Sequence, residues 1–508
     1  MRHRGAIFIV AVLACSGFLA NSSAISAQTA PAARGTALAG TASSGTWGTA
    51  EEVPGSGALN IGARAAINSV SCASAGNCTA GGYYASTSLP AHGPPITQAM
   101  VVAESGGQWG TAIEVPGTAT LNAGGAAKIS SISCSAPGDC SAGGEYTDSS
   151  GLSQAFVVTE TGGTWGNARR VPGTESLNRK KPGAQVLSVS CDAAGDCAAG
   201  GSYTDASGQQ QAFVVTETGG TWGTAQEVPG TAAMNAGGYA EIDSVSCAAA
   251  GECSAGGLYA SSSTDDIPTV QALVVTETGG TWGTAQEVPG TDALNSGGYA
   301  QITSVSCAAA GECSAGGEYT DSTSATEAFV VSQTGGTWST AEEVIGIPFL
   351  NRGGLATVNS VSCAAPGDCS AVGTYTDANF ASQAFYVPES GGTWGRSHEV
   401  PYTAHLDSGS PGATAVSVSC GAVGDCSLGG YYFARTTGIE RAFVASETGG
   451  AWAAAEQVPG VTVNAKGEFG ATQSVSCPSV GNCAAGGYFP GSTPTGQQAW
   501  VDDETASP

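Results

Sequence analysis

Apolar and small polar residues alternate in short runs along most of this chain, and turn residues separate the runs. In residues 127–173, AKISSISC alternates in this way, SAPGD makes a tight connection, and CSAGGEY follows. The polar loop TDSSGLSQ then leads to AFVVTE, which is rich in aromatic and β-branched residues, and TGG turns into TWGNARRV. A period of two with Gly- and Pro-containing breaks is typical of β-strands. The pattern predicts four antiparallel strands, and no helical period follows the N-terminal segment.

This four-strand unit recurs along the chain. Tryptophans fall at positions 47, 109, 165, 222, 282, 338, 394 and 452. The first cysteine of each unit falls at 72, 134, 191, 247, 307, 363, 420 and 477. The spacing of 56–62 residues is too long for one coil of a solenoid and suits a four-stranded sheet with its connections. The repeats predict an all-β, eight-bladed β-propeller of four-stranded antiparallel blades.

The two ends of the chain predict how the ring closes. The last unit stops after its third strand, QQAWVDDE, whereas SSGTWGTAEEVPG at residues 43–55 is a fourth strand without the preceding three. The N-terminal strand is therefore expected to complete the last blade, which removes the exposed edges of an open array. The predicted propeller covers residues 43–503, and residues 504–508 form a C-terminal tail.

The N-terminal segment resembles a secretory signal peptide over residues 1–27, followed by a flexible linker over residues 28–42. Arg2, His3 and Arg4 precede the apolar run AIFIVAVLACSGFLA, and small residues follow it. VLAC, ending at Cys15, also resembles a lipoprotein box, so a lipid anchor at Cys15 is the alternative. The expected location is secreted or cell-surface-associated. No later run is long enough for a transmembrane segment.

The cysteines predict a disulfide framework. Without Cys15, 16 of the 17 cysteines remain, each in a Cys-x5-Cys pair that flanks a turn between the first and second strands. The predicted pairs are Cys72–Cys78, Cys134–Cys140, Cys191–Cys197, Cys247–Cys253, Cys307–Cys313, Cys363–Cys369, Cys420–Cys426 and Cys477–Cys483. Zinc binding by these pairs is disfavoured, because Cys-x5-Cys is not a usual zinc spacing and no histidine lies beside a pair. No cofactor is expected.

A recurring turn motif resembles a known propeller family. ETGGTW stands at 160–165, 217–222 and 277–282, with variants ESGGQW, QTGGTW, ESGGTW and ETGGAW in other units. It resembles the Asp-box, or bacterial neuraminidase repeat, of sialidase-type propellers, with Glu or Gln in place of Asp. The resemblance implies a turn between the third and fourth strands whose Trp packs between strands. Sialidase activity is not expected, because the arginines occupy inconsistent positions in the repeats.

The charge balance limits the partners. There are 41 acidic and 15 basic residues, which disfavours a general nucleic-acid binder. One basic stretch, NARRVPGTESLNRKKPG, stands out as a candidate anion-binding site. It contains Arg169, Arg170, Arg179, Lys180 and Lys181. Local charge balance is the alternative interpretation of this stretch.

Other candidate sites are isolated residues. Asp265, Asp266 and Asp407 are acids that a hydrolase or lyase would need in pairs. His398, His405 and Asp407 lie close in sequence. YTDSSG and YTDASG, at 146–151 and 203–208, suggest Asp-initiated turns, with calcium binding as the alternative.

The loops between second and third strands vary most between units, which is typical of a scaffold with one binding face. The sequence therefore predicts a monomeric, non-catalytic extracellular binding module whose ligand is a glycan, a cell-wall polyanion or a protein. The alternative is an extracellular polysaccharide hydrolase or lyase that uses paired carboxylates.

Overall fold

A computed structural model describes residues 45–88, 95–262, 268–407, 411–435, 437–461, 469–491 and 496–506. The predicted signal peptide and linker, Cys15, Asp265 and Asp266 lie outside these described residues. Eight small antiparallel sheets form an eight-bladed β-propeller, as the repeats predicted. Blades are numbered here from the sheet that begins at Ala65.

Each blade runs outward from its first strand to its fourth. The first strands of blades 1–8 are Ala65–Ser74, Ala127–Ala136, Gln185–Ala193, Ala240–Ala249, Ala300–Ala309, Ala356–Ala365, Ala413–Ala422 and Ala471–Ser479. The second strands are Asn77–Ala85, Asp139–Thr147, Asp196–Thr204, Glu252–Ala260, Glu312–Thr320, Asp368–Thr376, Asp425–Phe433 and Asn482–Pro490. The third strands are Thr97–Ala103, Ser153–Thr161, Gln210–Thr218, Val270–Thr278, Thr326–Thr334, Ser382–Ser390, Glu440–Thr448 and Gln497–Ala506.

The fourth strand is split into two short pieces on the third strand. The first pieces, in blades 2–8, are Thr164–Trp165, Thr221–Trp222, Thr281–Trp282, Thr337–Trp338, Thr393–Trp394, Ala451–Trp452 and Gly45–Trp47, and blade 1 has a single bridge between Glu104 and Trp109. The second pieces, in blades 1–8, are Ile113–Glu114, Arg169–Arg170, Gln226–Glu227, Gln286–Glu287, Glu342–Glu343, His398–Glu399, Glu456–Gln457 and Glu51–Glu52.

Single helical turns connect successive blades, although the sequence showed no helical period. They are Ser56–Leu59, Thr118–Leu121, Thr174–Leu177, Thr231–Met234, Thr291–Leu294, Ile347–Leu350 and Thr403–Leu406. Four residues are too few to establish a period of 3.6, so this pattern cannot be detected in the sequence. An Asn after most of these turns fastens the connection: Asn122 donates to the Thr97 carbonyl of one blade and accepts from the Thr147 N–H of the next.

The eight first strands form a closed inner ring held by serine side chains. In each Ser-x-Ser-Cys motif, both serine hydroxyls accept backbone N–H groups from the first strand of the next blade. For example, the Val305 and Cys307 N–H groups donate to Ser244 and Ser246. Sixteen such bonds, at 2.9–3.2 Å, join all eight junctions, including the one between blades 8 and 1. The bonds satisfy N–H groups on the free edge of each first strand.

The paired glycines of the second strand allow two close approaches. A Cβ on Gly257 would lie 2.1 Å from the Glu241 carbonyl oxygen, next to a bulge in the first strand of the same blade. A Cβ on Gly256 would lie 2.5 Å from Ile302 of the next blade. In blade 6, Val372 stands at the position that Gly256 occupies in blade 4. In blade 7, the small Ala415 stands at the position that Ile302 occupies in blade 5.

The eight predicted disulfides are confirmed. Each links the first and second strands of one blade, with Cα–Cα distances of 3.9–4.0 Å. The residue before each second cysteine has a further role: Asp139 accepts the N–H of Gly162, the first glycine of the TGG turn. Equivalent bonds occur in blades 1 and 3–7. The disulfide turn and the TGG turn therefore share one face of the ring, called here the disulfide face.

The N-terminal strand completes the last blade, as predicted. Gly45, Thr46 and Trp47 pair with Ala506, Thr505 and Glu504, and Glu51–Glu52 pairs with Val501 and Trp500. The third strand of blade 8 extends to Ala506, three residues beyond the boundary expected from the sequence.

The contact between Gly256 and Ile302 gives a test of blade packing. We expect Gly256→Val to lower the free energy of unfolding by about 3 kcal/mol, because the new side chain overlaps Ile302. Ile302→Ala in the same chain should recover much of this loss, since it reproduces the Val372–Ala415 pair. Urea unfolding of both single variants and the double variant measures the coupling. A double variant no more stable than Gly256→Val would contradict this packing.

Candidate functional site

The face opposite the disulfides, called here the loop face, carries the second-to-third-strand loops and the connections between blades. Most of the large apolar side chains exposed among the described residues lie there: Ile61, Ile96, Tyr239, Phe349, Leu355, Phe380, Tyr402 and Phe469. Apolar side chains gathered on one face of a soluble scaffold typically mark an interaction site. The loop face is therefore the first place to look for a ligand.

Phe380 is the most exposed of these residues. It is 74% exposed at a loop tip and has a φ of 59°, a conformation that strains a bulky side chain. Gly151 and Gly208 occupy the equivalent loop position in blades 2 and 3, and Ser324 occupies it in blade 5. Backbone strain of this kind is typical of functional positions. The sequence carries a signal for this position, as a Phe where blades 2 and 3 have Gly.

The Asp that begins each of these loops holds the loop in shape. In blade 2, the Asp148 carboxylate accepts hydrogen bonds from Ser150, Leu152 and Gln154. Burial opposes ionisation, but these bonds outweigh it and lower the pKa of Asp148 to about 2. The predicted Asp-initiated turn is therefore present in this loop.

A cluster of tyrosines and carboxyl groups lies at the loop-face end of the first strands of blades 4 and 5. Tyr239 donates to Glu241 at 3.1 Å, and Tyr299 donates to Gln301, which in turn donates to Glu318. Burial, and then the charges of these acids and of Asp243, raise the pKa of Tyr299. We call Tyr239, Glu241, Asp243, Tyr299 and Glu318 the mouth cluster, because the first strands form the inner ring.

All three carboxyl groups of the mouth cluster have raised pKa values. Burial raises the pKa of Glu318 to about 7, although hydrogen bonds from Thr357 and Gln301 oppose the shift. Burial, and then the charge of Glu241, hold the pKa of Asp243 well above its usual range. The Asp243 Oδ2 atom has no hydrogen-bond partner among the described residues. Sequence reasoning missed the cluster because its members come from separate repeats.

A second tyrosine–glutamate contact joins blades 7 and 8 on the same face. Tyr488 donates to Glu440 at 3.0 Å, and burial raises the pKa of Glu440 to about 7. The Arg64 guanidinium lies 6.0 Å from the Tyr83 ring centre in blade 1. The loop face thus presents partly exposed tyrosines around the ring, which suits contact with hydroxyl-rich ligands.

The basic stretch lies around blades 2 and 3, and its members point in different directions. Arg169 and Arg170 are neighbours on one strand, so their side chains leave opposite faces. Arg170 donates to Tyr146 and lies 3.9 Å from the Asp148 carboxylate. Arg179, Lys180 and Lys181 are exposed on the connection into blade 3, where the Arg179 and Lys180 N–H groups donate to the Thr204 carbonyl.

The histidines near Asp407 have separate neighbours. His398 stacks on Tyr386 in blade 6, with ring centres 5.3 Å apart, whereas His405 stacks on Tyr402 in the next helical turn at 4.4 Å. Asp407 is 3% exposed and bridges Ala434. These contacts do not assemble a catalytic triad.

A metal site is not supported by the sulfur chemistry. Within the described ranges, Cys363, Cys369 and Glu389 come within metal-ligand distance of one another. The two cysteines form a disulfide and therefore offer no thiolate.

Comparisons with known proteins identify no family for this chain. No protein-family model and no curated protein matches the chain. The chain is similar to the structure of a protein of unknown function from Dyadobacter fermentans DSM 18053, with a TM-score of 0.41 and 11% identity over 91% of this chain and 99% of that chain. It is also similar to an ulvan lyase of family PL25, with a TM-score of 0.40 and 8% identity over 71% and 89% of the two chains.

A third similar structure is a neuraminidase-like protein from A/bat/Guatemala/164/2009, with a TM-score of 0.38 and 10% identity over 96% of this chain and 98% of that chain. With TM-scores below 0.5, these similarities identify neither a family nor an activity. Eight disulfides are typical of an extracellular protein. No helix in the described part of the chain is long and apolar enough to cross a membrane.

The buried carboxyl groups predict how stability depends on pH. Burial is the main cause that raises the pKa to about 7 for Glu104, Glu160, Glu318, Glu327, Glu440, Glu447 and Asp502. The folded chain therefore binds more protons than the unfolded chain between about pH 4.5 and 7. We expect the free energy of unfolding to fall as pH rises through this window. Urea unfolding from pH 5 to 8 measures it, and stability that rises with pH would contradict the prediction.

Proposed function

We propose that the protein is a non-catalytic extracellular binding module whose loop face holds a neutral glycan. The observation that carries the proposal is Phe380, which is exposed and held in a backbone conformation that strains it. The exposed ring offers a flat apolar surface, and an aromatic side chain with only two torsions loses little entropy on binding. Sugar rings have apolar faces that pack on such surfaces, and their hydroxyls suit the tyrosines and carboxyl groups found elsewhere on the loop face.

The charge of the chain favours a neutral glycan over a polyanion. The chain carries 41 acidic and 15 basic residues, so its overall field repels polyanions. In the basic stretch, the Asp148 carboxylate lies beside Arg170. A polyanion bound at Arg169, Arg170, Arg179, Lys180 and Lys181 is therefore less favoured than a neutral glycan.

Replacement of Phe380 tests the proposal directly. We expect Phe380→Gly to weaken glycan binding by about tenfold to a hundredfold, the loss expected for an aromatic contact. The same change should leave stability equal or higher, because Gly adopts a φ of 59° without strain. Pull-down on insoluble neutral polysaccharides and a glycan array measure binding, with heparin as the polyanion probe.

Ser324→Gly is the matched control, because Ser324 occupies the same loop position in blade 5 with a φ of 67°. It should raise stability in the same way and leave binding unchanged. The proposal fails if wild type binds only heparin, or if Phe380→Gly binds neutral glycans as well as wild type does.

Hydrolysis or lysis of a polysaccharide is the second candidate function. It is favoured by Asp243 and Glu241, two neighbouring carboxyl groups with raised pKa; Glu241 is buried, and the Asp243 Oδ2 atom has no partner among the described residues. A carboxyl group with a raised pKa is suited to general acid catalysis. If this function is present, a polysaccharide depolymerisation assay should detect activity that Asp243→Asn removes while the Phe380→Gly variant keeps a measurable turnover number.

A further inference from the structure

A cavity of about 310 Å³ opens on the disulfide face between blades 6 and 7. Ser370, Tyr386, Pro388, His398 and Glu447 are among the residues that line it. Its volume is at the lower end of the range for small-molecule sites. It lies on the opposite side of the ring from the loop face, so it is separate from the proposed glycan site.

At three junctions between blades, a hydrogen-bonded bridge occupies the equivalent position. At the junction of blades 2 and 3, the hydroxyls of Ser141 and Thr159 donate to the Glu217 carboxylate at 2.7 and 2.6 Å. The Trp222 indole N–H donates to the same Thr159 oxygen at 3.1 Å. The same bridge forms with Ser314, Ser332, Glu389 and Trp394, and with Ser427, Ser446, Glu504 and Trp47. The glutamate of the TGG turn motif thus reaches across to the preceding blade.

Blade 6 cannot form this bridge, because Pro388 stands where blade 2 has Thr159. Proline has no hydroxyl to offer the Glu447 carboxylate or the Trp452 indole. Among the described residues, neither the Ser370 Oγ nor the Trp452 Nε1 atom has a hydrogen-bond partner, and Ser370 is 4% exposed. Glu447 accepts no hydrogen bond from these residues, and burial raises its pKa to about 7. Buried polar atoms without partners are costly and rare in folded proteins.

Two further departures from the repeat line the same cavity. Tyr386 replaces the valine found in this register in blade 5, and His398 is paired with it on the fourth strand. Tyr386 stacks on His398, with ring centres 5.3 Å apart, and its ring is tilted against that of Trp452 at 5.4 Å. The wall therefore combines an aromatic surface with a hydroxyl and a carboxyl group that both lack a partner in the part of the chain that the structure describes.

We propose that this cavity binds a neutral sugar ring, whose hydroxyls replace the side-chain hydroxyl that Pro388 lacks. A sugar can donate to Glu447 and exchange a hydrogen bond with Ser370 while its apolar face packs on Tyr386 and His398. An anionic sugar fits poorly, because Asp368, Glu389 and Glu447 all line the cavity. An organic cation would suit the carboxylates but would bring no hydroxyl to Ser370.

Restoring the missing hydroxyl is the sharpest test. Pro388→Thr should rebuild the bridge seen at Thr159, raise the unfolding midpoint, and abolish sugar binding. Glu447→Gln should weaken binding by about tenfold, the effect of one charge-assisted hydrogen bond. Isothermal calorimetry and saturation-transfer NMR with a panel of neutral monosaccharides at millimolar concentrations measure binding to the intact protein.

Ala103→Thr is the matched control. Ala103 occupies the position equivalent to Pro388 in blade 1. It faces Glu160 of blade 2, whose Oε2 atom also lacks a partner among the described residues. The variant should therefore be stabilised without losing sugar binding. The inference is overturned if wild type binds no neutral monosaccharide, if it binds only the hydroxyl-free cation tetramethylammonium, or if Pro388→Thr binds sugar like wild type. The proposed loop-face function is tested separately, because Phe380→Gly should leave this monosaccharide binding intact.

Discussion

The closed ring of serine hydrogen bonds is the constraint on which the rest of this structure depends. A first strand has only one strand neighbour, so half of its backbone N–H groups would face the axis unpaired. The two serines of each Ser-x-Ser-Cys motif accept these N–H groups from the next blade, at every junction around the circle. Because the serines are buried, a lost hydroxyl would leave a buried donor unsatisfied, at a cost of about 1–3 kcal/mol. The cysteine beside them then fixes the same strand to its sheet.

The fold was predictable from the sequence because every repeat encodes the same local structure. Strand number, ring closure and disulfide pairing all follow from periodicity, from the split last unit and from Cys-x5-Cys spacing. The bonds between repeats were not predictable. Nothing in Ser244 or in Glu217 by itself shows that each reaches into a neighbouring blade, since that depends on the angle between sheets.

The candidate sites were harder to predict, because they arise where one repeat differs from the others and where separate repeats meet. Phe380 and Pro388 each differ from the residues at the same position in other repeats, and such differences are visible in the sequence. Their structural consequences, however, are visible only in the structure: the positive φ of Phe380 and the hydrogen-bonded bridge that is missing at Pro388. The mouth cluster, in contrast, brings Tyr239 and Glu318 together from two blades, and charge pattern alone pointed instead to the basic stretch.

Blade 6 differs from the other blades in two ways that have opposite consequences. Val372 is compensated by Ala415, so the two blades still pack closely. Pro388, Tyr386 and His398 are not compensated, and a cavity remains. Yet blade 6 keeps its disulfide, both serine bonds to blade 7 and the Trp394 bond to blade 5. A unit that was simply degenerating would lose structural and non-structural features alike. Blade 6 keeps the scaffold and loses one bridge. This combination is what a binding site within a ring requires, because the rest of the ring keeps the site rigid after the bridge is lost.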